Sequence, residues 1–269
     1  MALKIILNFS LLFLFQSAYA LNPSLPALED KYNTVVSIRN YAPDQDGNDA
    51  PAFCVATLVS ASELITAAHC VKDLYFHPEL KLTIDIGYYK YVTRPNGQTV
   101  RVGYLQDERF EKNVTIRFPQ SLMRKIPNAK KKVNIGPDED IALIRLSSPL
   151  ETKREIIFSK IMGSKMKGQY KNYKLNPVTI NFIEEMSSDT RRVATLDKVT
   201  INSNHFKSTS QSRVAPGDSG APVFIESEQQ LFLSAVVKGR ATTVFSNWDV
   251  YTLATKFLCE EERHIQCGE

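Results

Sequence analysis

The sequence predicts an all-β protein, and two observations carry this prediction. Short runs of alternating or β-branched residues recur along the chain, which is typical of strands. Polar turn segments, such as Pro95-Asn96-Gly97, separate many of these runs. This regular succession is characteristic of β-sandwiches and β-barrels. The predicted strands cover residues 34–38, 56–60, 82–86, 141–146, 177–180, 231–237 and 250–253.

Two stretches, residues 109–133 and 152–174, have no strand pattern and are rich in lysine and arginine. We expect both to form solvated surface loops. The alternative is a positively charged surface that binds an acidic protein partner.

The chain begins with a segment that has the features of a secretory signal peptide. Residues 1–20 contain a single charge at Lys4, an apolar stretch at 5–15 and a small-residue end at Ala18-Tyr19-Ala20. The alternative, an uncleaved anchor, is disfavoured because this stretch is too short to span a bilayer. The sequence therefore predicts a protein exported to the extracellular space or the periplasm, with no membrane association after cleavage.

Length and charge restrict the classes of function that remain. Cleavage after Ala20 would leave residues 21–269, enough for one large or two compact domains. The formal net charge is +4, or +3 without Lys4. This charge is too small to indicate a nucleic-acid partner.

Four cysteines in an exported chain indicate disulfides, and four cysteines allow three pairings. A metal site is the alternative. The histidines are too scattered to supply ligand spacing, so we expect neither a metal nor a cofactor. They are His69, His77, His205 and His264.

Three segments contain the residue types needed for nucleophilic catalysis by a serine. They are centred on His69, Asp140 and Ser219, and their order is one of several that unrelated folds use. A serine hydroxyl is a weak nucleophile at neutral pH. A histidine must therefore accept its proton, and a buried carboxylate must orient that histidine.

The residues around these three positions show a family resemblance. His69 lies in Thr66-Ala67-Ala68-His69-Cys70, Asp140 precedes Ile141-Ala142-Leu143, and Ser219 lies in Gly217-Asp218-Ser219-Gly220. A strand resembling the family's Val-Tyr-Thr follows at residues 250–252. The chain therefore resembles the chymotrypsin-like (trypsin-like) serine proteases through most of its mature length.

The resemblance implies two six-stranded antiparallel β-barrels with the active site in the cleft between them. Residues 21–150 would form the first barrel, with His69 and Asp140, and residues 151–269 the second, with Ser219. The resemblance also implies a Cys54–Cys70 disulfide beside the histidine, which leaves Cys259 and Cys267 for the second disulfide.

The resemblance also assigns roles to these residues. Ser219 would attack the scissile carbonyl, His69 would transfer the proton, and Asp140 would orient His69. The backbone amides of Gly217 and Ser219 would form the oxyanion hole. Asp218 would bind a free amino terminus.

The chain departs from the family pattern around the substrate cleft. Val55-Ala56 replaces two glycines after Cys54, and Ala215 replaces a cysteine. The usual Ser-Trp-Gly segment is Val237-Lys238-Gly239 here, so a hydroxyl that supports the triad aspartate is lost.

Charged residues occupy the positions that would line the specificity pocket. Arg213 would lie on its floor and Asp249 beside it. Because an unpaired buried charge is costly, we predict an Arg213–Asp249 ion pair, with Lys238 and Arg240 making the pocket mouth positive. Cleavage after Lys or Arg is therefore not expected. The alternative is that Arg213 faces solvent.

The mature amino terminus would be Leu21, about fifteen residues before the first predicted strand, as in activated family members. We predict that its ammonium inserts beside Asp218. Alternatively, this terminus is loose and Asp218 has another partner.

The sequence thus predicts a monomeric, secreted serine endopeptidase that acts on protein or peptide substrates. One alternative is an inactive or weak homologue that serves as a secreted binding protein. Another is an esterase or lipase, but that class normally has Gly-x-Ser-x-Gly and places the histidine last.

Overall fold

The fold is described from a computed structural model. It describes residues 25–27, 30–42, 52–126, 133–163, 174–181, 190–196, 198–202, 204–209, 214–227, 230–242, 247–262, 265 and 267–268. The predicted signal peptide, Leu21, Arg213 and the basic residues at 130–132 and 165–171 lie outside these ranges.

Most of the described elements are strands. A 3-10 helix at Asp30–Thr34, helix α1 at Ala68–Phe76, helix α2 at Gln120–Met123 and a π-helix at Lys256–Glu261 are the helical elements of the described part. The strands are β1 (Leu25–Pro26), β2 (Val35–Asn40), β3 (Ala52–Ser60), β4 (Glu63–Thr66), β5 (Leu82–Thr93), β6 (Thr99–Lys112), β7 (Val114–Arg117), β8 (Ala142–Leu146), β9 (Lys160–Met162), β10 (Leu175–Asn181), β11 (Thr190–Val193), β12 (Val199–Asn202), β13 (His205–Ser208), β14 (Pro222–Ser227), β15 (Gln230–Thr242), β16 (Asn247–Leu253) and β17 (Cys267–Gly268).

These strands form two curled sheets. The first has the order β6-β5-β2-β3-β4-β8-β7, and all its neighbours are antiparallel. The second has the order β1-β11-β10-β14-β15-β16-β13-β12, and β9 pairs in parallel with β15 and β17. The predicted all-β class and double-barrel fold are therefore confirmed. The described sheets contain seven and ten strands rather than six each, because short strands such as β9 and β17 join them.

The first strand of the chain belongs to the second sheet. Leu25 pairs with Val193 of β11, and the amide of Ala27 donates to the carbonyl oxygen of Arg191 at 2.9 Å. The segment before β2 therefore crosses from one sheet to the other. The proposed domain boundary after residue 150 remains a prediction.

Each sheet encloses its own apolar core. The core of the first sheet includes Ile38, Leu58 and Ile84, all with 1% exposure or less. The second core includes Phe224 and Leu233, which are fully buried. Burying one such side chain contributes about 2 kcal/mol, which explains why the β-branched runs form strands with one face turned inward.

The hairpin of β5 and β6 contains the predicted turn at Pro95-Asn96-Gly97. The Gly97 amide donates to the Arg94 carbonyl oxygen at 2.8 Å, and Gly97 has a φ of 81°. This left-handed conformation explains the glycine.

The expectation that residues 109–133 and 152–174 are only loops was wrong. The end of β6, the whole of β7 and helix α2 lie in the first stretch, and β9 lies in the second. In β7, Ile116 is buried while Thr115 and Arg117 are exposed. Four residues with one fully buried side chain are too short a pattern to indicate a strand.

Both predicted disulfides are present, between Cys54 and Cys70 and between Cys259 and Cys267. Among the described residues, no helix is long and apolar enough to cross a membrane.

Candidate active site

The register of two neighbouring strands brings His69 and Asp140 together. Thr66, at the end of β4, pairs with Ala142, at the start of β8. The chain leaves β4 through Ala67 and enters helix α1, whose second residue is His69. Asp140 lies two residues before β8, on the same edge of the sheet.

The Asp140 carboxylate binds His69 at two points. Its Oδ1 accepts a hydrogen bond from the His69 backbone amide at 3.0 Å, and its Oδ2 lies 2.8 Å from His69 Nδ1. The first bond also satisfies one of the free amides at the start of α1, where Ala67 provides no side-chain cap. Asp140 therefore fixes both the helix terminus and the imidazole ring.

Asp140 is ionised despite its burial, since its side chain has 0% exposure. Burial acts to raise its pKa. The charge and the hydrogen bond of His69, the charge of Lys238 and the backbone bond oppose this effect, and together they hold the pKa of Asp140 below its ordinary value. The carboxylate can therefore stabilise a positively charged imidazole.

Ser219 is held against the first sheet by its backbone. Its carbonyl oxygen accepts a hydrogen bond from the Val55 amide at 2.9 Å. Val55 follows Cys54, and the Cys54–Cys70 disulfide joins β3 to the residue after His69. A short path of one hydrogen bond and one disulfide thus connects the serine segment to the histidine helix.

Two glycines shape the turn around Ser219. Gly217 has a φ of 95° and Gly220 a φ of 79°, so both adopt the left-handed conformation. A Cβ on Gly220 would lie 2.1 Å from Thr66 Oγ1 and 2.2 Å from the Val55 carbonyl oxygen. The absence of a side chain at residue 220 therefore allows the serine turn to approach β3 and β4.

Asp218 is fully buried and accepts hydrogen bonds within the second half of the chain. Its Oδ2 accepts one from the Ala215 amide at 2.8 Å, and its Oδ1 accepts one from the Thr179 hydroxyl. Because Leu21 lies outside the described residues, its insertion beside Asp218 remains a prediction.

Asp249 is also fully buried, and its observed partners include Arg240. Arg240 Nε lies 3.3 Å from Asp249 Oδ1, and the Val214 amide donates to Asp249 Oδ2 at 3.2 Å. Arg240 Nη2 also donates to the Val214 carbonyl oxygen at 2.9 Å. Because Arg213 lies outside the described residues, its pairing with Asp249 remains a prediction.

The contact between Lys238 and Asp140 was not anticipated. The sequence placed Lys238 at the pocket mouth, but its Nζ donates to Asp140 Oδ2 at 3.0 Å and to the Ile135 carbonyl oxygen at 2.8 Å. A long flexible side chain can reach many acceptors, and no sequence pattern indicates which one it selects. Gly239, the next residue, has a φ of 144° and no atom within 4 Å of its Cβ direction.

The segment that ends in Asp140 also contacts the second sheet. Asp138 Oδ1 lies 2.8 Å from His205 Nδ1 and accepts from the Asn204 amide at 2.9 Å. The Thr252 hydroxyl donates to the Pro137 carbonyl oxygen at 2.8 Å. These bonds hold the segment against β13 and β16, and the sequence gave no signal for them beyond the polar character of the segment.

Cys54, His69 and Cys70 are the one cluster of metal-ligand types in the described part of the chain. Both cysteines are oxidised in a disulfide, so they offer no thiolate to a cation. His69 Nε2 lies 3.8 Å from Cys70 Sγ, and the ring packs beside the disulfide.

We predict that Gly220→Ala lowers the free energy of unfolding by about 3 kcal/mol, because its Cβ would overlap backbone and side-chain oxygens at a positive φ. Gly97→Ala is the matched control, since it has a similar φ of 81° but no atom within 4 Å of the added Cβ. It should lose only about 1 kcal/mol. Chemical denaturation measures both, and equal losses would contradict the packing argument.

We also predict that acid destabilises the fold partly through Asp138. Burial acts to raise its pKa, but the His205 hydrogen bond, the Asn204 amide and the charges of His205 and Lys256 lower it below the ordinary 3.8. A carboxyl group with a lowered pKa in the folded state stabilises that state above its unfolded pKa. This stability is lost as the pH falls from about 4 through the folded pKa.

Asp138→Asn should therefore make the free energy of unfolding depend less steeply on pH below about pH 4. The Asp138 side chain is 50% exposed, so solvent screens part of this effect. Denaturant titrations at several pH values measure the slope, with Glu79→Gln controlling for the loss of one exposed carboxylate. An unchanged slope in Asp138→Asn would exclude this contribution.

Comparison with known proteins agrees with this geometry. The family model described as Trypsin matches residues 32–258, which is most of the chain. No curated protein matches the sequence. The matched range includes both sheets of the double barrel and all three residues of the predicted triad, and we conclude that the chain belongs to the trypsin family of chymotrypsin-like serine proteases.

Proposed function

We propose that this protein is a secreted serine endopeptidase that uses Ser219, His69 and Asp140 as its catalytic triad. The observation that carries the proposal is the double bond of the buried Asp140 carboxylate to the backbone and ring of His69. A carboxylate bound to Nδ1 leaves Nε2 as the nitrogen that can accept a proton.

The proposed reaction is acyl transfer. Ser219 Oγ attacks the scissile carbonyl carbon while its proton passes to His69. The imidazolium then gives this proton to the leaving amine, and a water molecule hydrolyses the acyl-enzyme by the same steps. The left-handed turn at Gly217 supports the proposal that the Gly217 and Ser219 amides bind the oxyanion, where one donor contributes about 3 kcal/mol.

Export is supported by two kinds of observation. Residues 1–20 have the pattern of a cleavable signal peptide, and two disulfides fit an oxidising compartment. The proposed substrate is a protein or peptide, and the proposed mature enzyme is a monomer without metal or cofactor.

The contact of Arg240 with Asp249 bears on specificity. A free carboxylate at residue 249 would attract a Lys or Arg side chain of the substrate. Its pairing with the guanidinium of Arg240 offsets that charge. The proposed enzyme therefore does not prefer to cleave after basic residues.

The proposed function predicts covalent labelling of Ser219 by a fluorophosphonate, because such probes react with activated serine hydroxyls. Ser219→Ala should abolish labelling and lower kcat at least about 10⁴-fold. Ser148→Ala, which removes a hydroxyl from the surface of the first half, controls for nonspecific reaction. If a folded wild-type protein neither labels nor cleaves a denatured protein substrate, the inactive binding-protein alternative is favoured.

The specificity argument predicts the effect of removing Arg240. Arg240→Ala should raise kcat/KM for substrates with Lys or Arg before the scissile bond about tenfold relative to neutral substrates, because Asp249 loses its cation. Arg117→Ala removes an exposed positive charge from β7 and is the control. A peptide-library profile measures this change, and unchanged selectivity in Arg240→Ala would exclude Asp249 from specificity.

A further inference from the structure

A lysine from the second sheet contacts the carboxylate that orients the histidine. Lys238 lies in β15, and its Nζ is 3.0 Å from Asp140 Oδ2. The same ammonium donates to the Ile135 carbonyl oxygen at 2.8 Å. Two fixed acceptors therefore hold the group, and both belong to the segment at residues 133–141.

His69 and Lys238 share one oxygen atom of Asp140. Oδ2 lies 2.8 Å from His69 Nδ1 and 3.0 Å from Lys238 Nζ, so the two nitrogens are within about 6 Å of each other. Asp140 has 0% exposure, while the Lys238 side chain is 26% exposed. The positive charge is therefore only partly screened from the imidazole.

The other charged groups around this site have partners of their own. On the Asp140 segment, Asp138 pairs with His205 of β13, and Glu139 pairs with Lys125 from the end of α2. On the serine turn, the Asp218 carboxylate accepts hydrogen bonds from Thr179 and from the Ala215 amide. Among the described residues, His69 and Lys238 are the two cationic side chains that bond to Asp140.

We propose that Lys238 is a positioning residue of the triad that fixes Asp140 Oδ2, partly offsets its negative charge and so extends activity to lower pH. This inference rests on the proposed function of the same site. Lys238 replaces, from the neighbouring position on the strand, the support that the missing hydroxyl at Val237 would give to Asp140.

The direction of the effect follows from charge. Activity requires a neutral His69, so activity falls on the acid side as the imidazole gains a proton. A lysine ammonium within about 6 Å disfavours a second positive charge on that ring. It therefore moves the acid limb of the pH–rate profile to lower pH, whereas Asp140 alone would move it to higher pH.

Lys238→Met removes the charge and keeps most of the apolar stem. We expect the midpoint of the acid limb of kcat/KM to rise by about one pH unit, which is about a tenfold loss of activity at a fixed pH on that limb. Lys238→Arg retains the charge and should keep the midpoint near that of the wild type. The substrate should be a peptide ester without ionisable side chains.

Lys207→Met is the matched control. It removes one lysine from β13, where the ammonium lies over the ring of Trp248 at 4.8 Å. It should leave the midpoint unchanged. Because the midpoint does not depend on the concentration of active enzyme, partial unfolding of a variant does not alter the result.

A purely structural role for Lys238 would lower kcat in Lys238→Met and leave the midpoint where it was, and this result would overturn the inference. A variant too slow to assay is tested by NMR titration of the His69 ring in the Ser219→Ala background, with and without Lys238→Met. The midpoint should again rise by about one unit, and equal midpoints would reject the inference. Lys238→Gln serves the same titration if the methionine variant does not fold.

These arms separate the inference from the function on which it rests. If the wild-type protein shows no hydrolysis that depends on Ser219, the proposed function fails. The NMR titration still decides whether Lys238 acts on His69, since it requires no turnover.

Discussion

The arrangement of the site depends on a buried negative charge. Asp140 has no exposure to water, so its ionised form requires bonding partners inside the protein. Those partners come from both sheets: His69 follows a strand of the first, and Lys238 belongs to a strand of the second. A single carboxylate therefore links the histidine helix to the body that carries the serine.

A second connection runs in the opposite direction across the molecule. Ser219 belongs to the second half of the chain, yet its carbonyl oxygen is bound by the Val55 amide of β3. Thr66, whose hydroxyl donates to the Val55 carbonyl oxygen at 2.7 Å, ends the strand that leads to His69. Small displacements between catalytic groups can cost about 100-fold in rate, so these connections provide the rigidity that such a site requires.

The sequence predicted the fold class well because strand periodicity and turn chemistry are local properties. The Pro95-Asn96-Gly97 turn and the two disulfides are examples. It missed β7, where a four-residue strand has only Ile116 fully buried, and it treated Lys238 as part of a pocket mouth. Long side chains select partners according to tertiary geometry, so the bond to Asp140 has no local signal. The roles of Arg213 and Leu21 remain predictions.

The pairing of β1 with β11 also determines the order in which the fold can be completed. Leu25 meets Val193, a residue that is synthesised 168 positions later. At roughly 5–20 residues per second, a ribosome needs on the order of 10–30 s to produce that partner. The strands of the first sheet lie between residues 35 and 146, so all of them leave the ribosome during this interval, before β1 can pair. The amino-terminal strand is therefore the last to emerge as a paired element, although it is the first to be made.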